Sequence, residues 1–234
     1  MIKFETQTHK WRFLLGIICG LLPIGCLLFG LFGQFAGINN PNWYVSISAT
    51  YFANSNMCMI GALCLCAFFL FTYEGYKDVR PPLVLDDATG FKKFWLKFKY
   101  WWKRSTDIGD RGYTTIAAIA ALLIVACPCA AKGTQDHLGL FALPAPISDI
   151  IHSVAAAVLF LAFALMILTQ FTKGSRKNRN ILYYICGSTM LAAMLAVVLS
   201  MILSWPPYMT MILEIVMLEA FAIAWIVKSD VIKK

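Results

Sequence analysis

The feature that most constrains the fold of this chain is a series of six long apolar runs that follow one another along the sequence. Each run is close to the roughly 20 residues that a helix needs to cross about 30 Å of hydrocarbon at 1.5 Å per residue. The runs are continuously apolar, whereas the strands of a membrane barrel are shorter and alternate in polarity. The sequence therefore predicts an all-α integral membrane bundle of six transmembrane helices, over residues 13–36, 55–73, 114–131, 147–172, 181–203 and 208–227.

The composition is typical of a membrane protein. Of the 234 residues, 60% are hydrophobic and 14% are charged, whereas an ordinary soluble domain has about 25% charged residues. The first run is too long for a cleaved signal peptide, and no convincing small-residue cleavage site follows it. The outer connections are compact, so we predict a single transmembrane domain over residues 1–234 with no sizeable part outside the membrane.

The distribution of Lys and Arg predicts the orientation of the bundle. With six spans that alternate in direction, all 20 of these residues except Lys132 fall on the side that also holds both termini. The positive-inside rule places that side in the cytoplasm. We therefore predict a multi-pass protein of the plasma (inner) membrane whose N-terminus and C-terminus are both cytoplasmic.

The second connection contains the segment FKKFWLKFKYWWKR, residues 91–104, which combines aromatic rings with positive charges and has no acidic residue. On a helix most of the rings share one face, and most of the lysines lie off it. Such a helix suits the cytoplasmic interface, where anionic headgroups attract Lys and Arg. We predict an amphipathic interfacial helix over residues 88–104, which acts either as an orientation anchor with no further role or as a site that recognises a specific anionic lipid. Its predicted lipid contacts are Lys92, Lys93, Phe94, Trp95, Phe98, Trp101, Trp102, Lys103 and Arg104.

The eight cysteines all lie in predicted spans, which disfavours a disulfide framework of the secreted type and indicates small buried side chains. Cys127 and Cys129 flank Pro128 near the outer end of the third span. Thiolates bind soft metals, but two ligands are too few for a site. Pro128 is better interpreted as a kink near a helix end. We therefore predict no metal, and the sequence holds no nucleotide-binding motif that would indicate a cofactor.

Polar side chains within the spans are few, and most lie toward the outer side. Asp149 and His152 are one helical turn apart at the start of the fourth span, and Glu214 lies about two turns into the sixth. Serine and tyrosine side chains precede the second span on the same side. Because polar residues in a membrane usually face the bundle interior or a wet cavity, we predict one outer pocket lined by Ser46, Ser48, Tyr51, Asp149, His152 and Glu214.

Three interpretations of this set stay open. Ser48, His152 and Asp149 are candidate catalytic residues, as nucleophile, base and orienter, provided that they touch; the serines lack a Gly-x-Ser-x-Gly elbow. Alternatively, His152 and Glu214 pair as a proton or cation site, or bind a polar headgroup. In the third interpretation the polar groups hydrogen-bond one another and hold spans two, four and six together. Glu219 lies about 140° around the helix from Glu214 and is not expected to share its site.

Three segments carry a family resemblance. YVSISATYFANSNMCMIGALCLCAFFLFTYEGY, IIHSVAAAVLFLAFAL and LEIVMLEAFAIAWIVK resemble the second, fourth and sixth spans of the Frag1/DRAM/Sfk1 group and of uncharacterised bacterial six-helix relatives. His152 and Glu214 take the places of a His and a Glu in that pattern. Ala49, where the eukaryotic pattern often has an acidic residue, and the basic segment depart from it. The resemblance implies a six-helix bundle tied to lipid remodelling, lipid asymmetry or membrane stress.

The favoured function is that of a membrane protein that binds or handles a lipid or small amphiphile in the outer pocket. The alternatives are a membrane-embedded lipid hydrolase or acyltransferase that uses Ser48, His152 and a carboxylate, and a non-catalytic structural or regulatory protein. The expected partners are membrane lipids and, on the cytoplasmic face, anionic headgroups, with a second copy of the chain as a further candidate. Nucleic acid is disfavoured, because short linkers tether the basic segment between two spans.

Overall fold

The structure is a computed structural model that describes residues 7–38, 42–73, 108–130, 136–174 and 176–230, together with Gly75, Gly90, Lys93, Phe94 and Lys97. The described part of the chain is mostly helical, as the apolar runs predict. Its six long helices are α1 Gln7–Phe35, α2 Asn56–Thr72, α3 Gly109–Ala126, α4 Ala145–Thr169, α5 Lys177–Ile202 and α6 Met209–Lys228. Its shorter elements are the 3-10 turns Trp43–Val45, Ser48–Phe52 and Phe171–Lys173 and the antiparallel strands β1 His137–Leu138 and β2 Leu143–Pro144.

Each predicted span falls on one of these helices, and the ends differ by a few residues. Five of the six are long and apolar enough to cross a membrane. The exception is α2, which is apolar but has 17 residues, and these rise about 26 Å. The helices are therefore consistent with a multi-pass membrane protein, and the sixth crossing stays a prediction.

The end of α3 corrects the sequence prediction. The sequence predicts a third span that continues to residue 131, with Pro128 as a kink near its end. In the structure α3 ends at Ala126, and Cys127 leaves the helical region with φ −123° and ψ 85°. A proline restricts the residue before it to extended conformations, which stops the helix rather than bending it. Cys127 and Cys129 consequently lie beyond the helix, and Cys129 stands in a connecting segment rather than in a span.

Helices that are consecutive in the sequence pack against each other, and the last helix also packs against the first. Each helix contacts its sequence neighbours, and α6 packs along α1. Gly16 and Gly20 of α1 make this approach close: a Cβ on Gly16 would stand 2.8 Å from a side-chain carbon of Ile226 and 3.1 Å from the Ala222 carbonyl oxygen. Small residues four apart allow two helix backbones to meet in this way. Across the bundle, Phe163 of α4 stacks on Phe221 of α6 with ring centres 3.7 Å apart.

Charged and aromatic residues gather at one end of the bundle, which we call the terminal end because α1 begins there and α6 ends there. Here Arg12 near the start of α1 binds the Tyr73 hydroxyl after α2, and Lys228 at the end of α6 donates to the Phe171 carbonyl after α4. Asp230 accepts hydrogen bonds from both Arg176 and Arg179 beside the start of α5. The helices thus run up and down between this end and the opposite end, which we call the cavity end.

The predicted interfacial helix lies mostly outside the described residues. Of the predicted lipid contacts, the structure describes Lys93 and Phe94, which are helical and exposed, as is the nearby Lys97. The other predicted contacts, Lys92, Trp95, Phe98, Trp101, Trp102, Lys103 and Arg104, are not among the described positions. The helix over residues 88–104 and its contact with lipid therefore stay predictions.

Candidate functional site

A cavity of about 550 Å³ opens at the cavity end of the bundle. Its walls come from the segment before α2, the segment after α3, the start of α4, the end of α5 and the start of α6. Five of the six residues predicted to form the outer pocket line it: Ser46, Ser48, Asp149, His152 and Glu214. The sixth, Tyr51, is not among its lining residues; its ring stands edge-on to that of Phe52, with ring centres 5.2 Å apart.

Glu214 joins α6 to the segment that precedes α2. One carboxylate oxygen, Oε2, accepts a hydrogen bond of 2.6 Å from the backbone N–H of Ile47. Ile47 is the residue before the 3-10 turn Ser48–Phe52, where N–H groups lack partners within the turn. A carboxylate stabilises such a turn start through both the hydrogen bond and the local dipole. This contact places Ser46 and Ser48 against α6.

Asp149 performs the same task for the segment that follows α3. Its Oδ1 accepts a hydrogen bond of 2.8 Å from the backbone N–H of Ala130, and the neighbouring Ser148 hydroxyl donates to the Pro128 carbonyl over 2.7 Å. Because α3 stops before the proline, these backbone groups have no helical partners. The start of α4 supplies the missing partners and thereby builds the wall that contains Cys129 and Ala130.

His152 is 4% exposed and one helical turn from Asp149. Its Nδ1 lies 2.9 Å from the Cys127 carbonyl oxygen, and because a carbonyl only accepts, Nδ1 carries the proton. In the neutral imidazole Nε2 then has a free lone pair. This nitrogen is buried and, in the part of the chain that the structure describes, has no hydrogen-bond partner. An unpaired buried acceptor of this kind costs about 1–3 kcal/mol.

These contacts show which partners the polar side chains have in the structure. Asp149, His152 and Glu214 each hydrogen-bond a backbone group, and the described residues show no hydrogen bond among the three. A proton, cation or headgroup site at His152 and Glu214 stays a prediction. Each of these side chains hydrogen-bonds the backbone of a segment that connects two helices, and in this way it stabilises the bundle.

The catalytic arrangement is not assembled either. The Ser46 hydroxyl accepts a hydrogen bond of 2.9 Å from the backbone N–H of Ala49. Among the described residues neither nitrogen of His152 binds a serine hydroxyl, since Nδ1 donates to a carbonyl and Nε2 has no partner. Ser48 therefore lines the same cavity as His152 without the serine–histidine hydrogen bond that activates a nucleophile.

The apolar walls of the cavity were not predicted. They belong to three helices, and a residue in the middle of an apolar span carries no mark that distinguishes a cavity wall from a lipid contact or from the packed core. Hydropathy alone could not have found them, because all faces of such helices are apolar. These residues are Ala156, Ala157, Phe160, Met194, Val197, Val198, Met201 and Met217.

Burial and two nearby carboxylates act on the Cys129 side of the cavity wall. The Cys129 thiol lines the cavity in the segment after α3. Burial, and then the negative charges of Glu214 and Asp149, raise the pKa of Cys129 to about 12. Both carboxylates thus act on one group, so they contribute to the same part of the wall. Within the described residues no group of three or more His, Cys, Asp or Glu side chains could hold a metal ion.

Comparison with known proteins adds no assignment to this geometry. No family model, no curated protein and no solved structure matches the chain. The cavity and its lining are therefore the basis on which a function can be assigned, and the resemblance to the Frag1/DRAM/Sfk1 group stays a prediction.

Proposed function

We propose that this protein binds a lipid or small amphiphile in the cavity. The observation that carries the proposal is the composition of the cavity wall. Its volume of about 550 Å³ lies within the roughly 300–1,000 Å³ range of small-molecule sites. Polar groups from three segments converge at Ser46, Asp149 and Glu214, while Phe160, Met217 and neighbouring side chains supply apolar walls. A site that offers hydrogen-bond acceptors beside apolar walls matches a molecule with a polar head and an apolar part.

The orientation of the cavity belongs to the same proposal. The basic residues at the terminal end favour a cytoplasmic location for that end under the positive-inside rule, so the cavity end faces the outer leaflet. The variant Ser48→Cys tests this, because Ser48 is half-buried and lines the cavity. A membrane-impermeant maleimide should label the new cysteine in intact cells. Labelling only after permeabilisation would place the cavity on the cytoplasmic side.

Filling the cavity tests the binding itself. Ala156→Phe adds a ring at a lining position of α4, whereas Ala192→Phe adds the same ring at an exposed position of α5 outside the lining. Native mass spectrometry of the full chain, purified in a neutral maltoside, should show a co-purifying amphiphile on the wild type and on Ala192→Phe. The Ala156→Phe variant should lose most of it. Equal retention by both variants would contradict the proposal.

Contact of the basic segment with anionic lipid is a second part of the proposal. Residues 91–104 hold several Lys and Arg side chains and no acidic residue, and each such charge near an anionic surface contributes about 1 kcal/mol. A peptide of this sequence should float with vesicles that contain phosphatidylserine and much less with neutral phosphatidylcholine vesicles. Equal flotation with both kinds of vesicle would show that the segment binds membranes through its apolar side chains alone.

A further inference from the structure

The charged side chains that line the cavity are two carboxylates, Asp149 and Glu214, which stand beside hydroxyl groups that can donate or accept. Asp149 accepts the Ala130 N–H, and Glu214 accepts the Ile47 N–H with the Ser48 N–H also directed at its carboxyl group. Because a carboxylate has about four lone-pair sites, each side chain keeps capacity for a further donor. His152 also lines the cavity, and its Nε2, which is an acceptor because Nδ1–H is donated to the Cys127 carbonyl, is buried in the wall. No Lys or Arg lies among the described residues that line the cavity. The described part of the wall therefore combines two carboxylates with an imidazole and contains no Lys or Arg to oppose their charge.

A ligand that donates hydrogen bonds and carries positive charge complements this wall. The buried Nε2 of His152 lacks a partner among the described residues, and an acceptor in that state gains from any donor that reaches it. The overlapping negative fields of Glu214 and Asp149, seen at the Cys129 thiol, favour a cation and repel an anion. In low-dielectric surroundings such charge-assisted hydrogen bonds are the stronger ones.

The walls beside these groups indicate the remainder of the ligand. Ala156, Phe160, Met194, Val197 and Met217 line the cavity together with the polar groups. An inorganic cation would leave these apolar side chains exposed to water. The described residues also provide no cluster of three or more metal-ligating side chains. An apolar chain attached to the cation would instead cover them.

We propose that the cavity binds an amphiphilic amine, with a protonated primary or secondary ammonium among Asp149, His152 and Glu214 and its apolar chain against the α4, α5 and α6 walls. This inference rests on the proposed function, since it specifies the head of the amphiphile that the cavity holds. A free alkylamine and the ethanolamine head of a phospholipid share this chemistry. A quaternary ammonium carries the charge but has no N–H to donate, so it satisfies the charge requirement alone.

Matched single-chain probes separate the two requirements. The full-length protein in neutral maltoside micelles is titrated with dodecylammonium, dodecyltrimethylammonium, dodecanol and dodecanoate, and occupancy is read by native mass spectrometry. Dodecylammonium should bind about tenfold or more tightly than dodecanol, because a charge-assisted hydrogen bond of 1.4 kcal/mol corresponds to a factor of ten. Dodecyltrimethylammonium should bind more weakly than dodecylammonium, and dodecanoate should bind weakest.

The carboxylate variants tie the preference to the site. Glu214→Gln keeps an oxygen for the Ile47 N–H and removes the charge, so it should lower dodecylammonium affinity about tenfold and dodecanol affinity much less. Glu219→Gln is the matched control: it removes a carboxylate from the same helix at a position outside the cavity lining, near Gly20. It should change neither affinity.

The outcomes distinguish failure of the inference from failure of the proposed function. Equal binding of dodecylammonium and dodecanol, with both lost in Ala156→Phe, would overturn the amine assignment and keep the amphiphile site. Absence of binding by all four probes would overturn both. Dodecylammonium binding in nanodiscs of phosphatidylethanolamine and of phosphatidylcholine identifies the source of the amine. Weaker dodecylammonium binding in phosphatidylethanolamine indicates that the lipid head occupies the site. Equal dodecylammonium binding in both lipids indicates a free amine.

Discussion

Arg12 and Tyr73 are joined by two hydrogen bonds across 61 positions of the sequence: Nε and Nη2 of Arg12 donate to the Tyr73 hydroxyl over 2.9 and 2.7 Å. The Arg12 side chain is 1% exposed, and its guanidinium carbon lies 5.4 Å from the centre of the Tyr73 ring. A buried charge needs hydrogen-bonding partners to offset the loss of its hydration. Tyr73 is one of those partners, and it connects the start of α1 to the end of α2.

Tyr73→Phe removes the hydroxyl and keeps the ring. Because hydrogen bonds to a charged group contribute about 1.5–3 kcal/mol, the variant should lower the free energy of unfolding by an amount in that range, measured by thermal unfolding in maltoside micelles. Tyr184→Phe is the matched control, since Tyr184 is 54% exposed and should change stability little. A similar loss for both variants would show that the phenol does not stabilise Arg12.

Substitution by alanine should have opposite effects on stability at Gly16, which lies at the contact between α1 and α6, and at Gly61, which does not. Gly16→Ala places a methyl group 2.8 Å from Ile226 and 3.1 Å from the Ala222 carbonyl oxygen, and overpacking of this kind typically costs about 1–3 kcal/mol. Gly61 of α2 has nothing within 4 Å of an added Cβ, so Gly61→Ala should stabilise the protein by up to about 1 kcal/mol through helix propensity. Thermal unfolding of both variants measures the difference. A neutral Gly16→Ala would contradict the close approach of α1 and α6.

The antiparallel register of α1 and α2 can be trapped chemically. The Sγ atoms of Cys19 and Cys66 lie 3.4 Å apart in the buried core, close enough for a disulfide after a small movement. Copper–phenanthroline should oxidise the two thiols to one disulfide, with two electrons passing to copper and two protons released. Peptide mapping should find residues 19 and 66 in one cross-linked fragment, and Cys66→Ala should abolish it. Cross-links of Cys19 to other cysteines instead would contradict this register.

The raised pKa of Cys129 predicts slow alkylation at neutral pH. With a pKa of about 12, the thiol is almost wholly protonated at physiological pH, and since the thiolate is the nucleophile, the rate should rise about tenfold per pH unit between about pH 7 and pH 10. Asp149→Asn removes a negative charge, lowers this pKa and should speed the reaction a few-fold. Glu219→Gln should leave it unchanged. Site-specific labelling by a small maleimide, read by peptide mass spectrometry, measures the rate; a rate independent of pH would contradict the raised pKa.

Much of the fold follows from the sequence. The apolar runs are long enough to specify helices at six places, and the fixed rise per residue determines how far along each helix a polar side chain lies. This is why Ser46, Ser48, Asp149, His152 and Glu214 could be assigned to one end without coordinates. Alternating direction, together with the one-sided distribution of Lys and Arg, placed them at the end opposite the termini.

What only the tertiary structure decided is the direction in which each side chain points and what it meets there. Tyr51 has the right depth but does not line the cavity, and His152 and Glu214 share a cavity but bind backbone groups of separate segments. Helices that are apolar on every side carry no hydropathy signal for their inward face. Their rotation is determined by contacts such as those of Gly16 and Phe163, which join residues far apart in the chain. The depth of a residue in the bundle therefore follows from its position along its own helix, whereas the cavity arises from packing between helices.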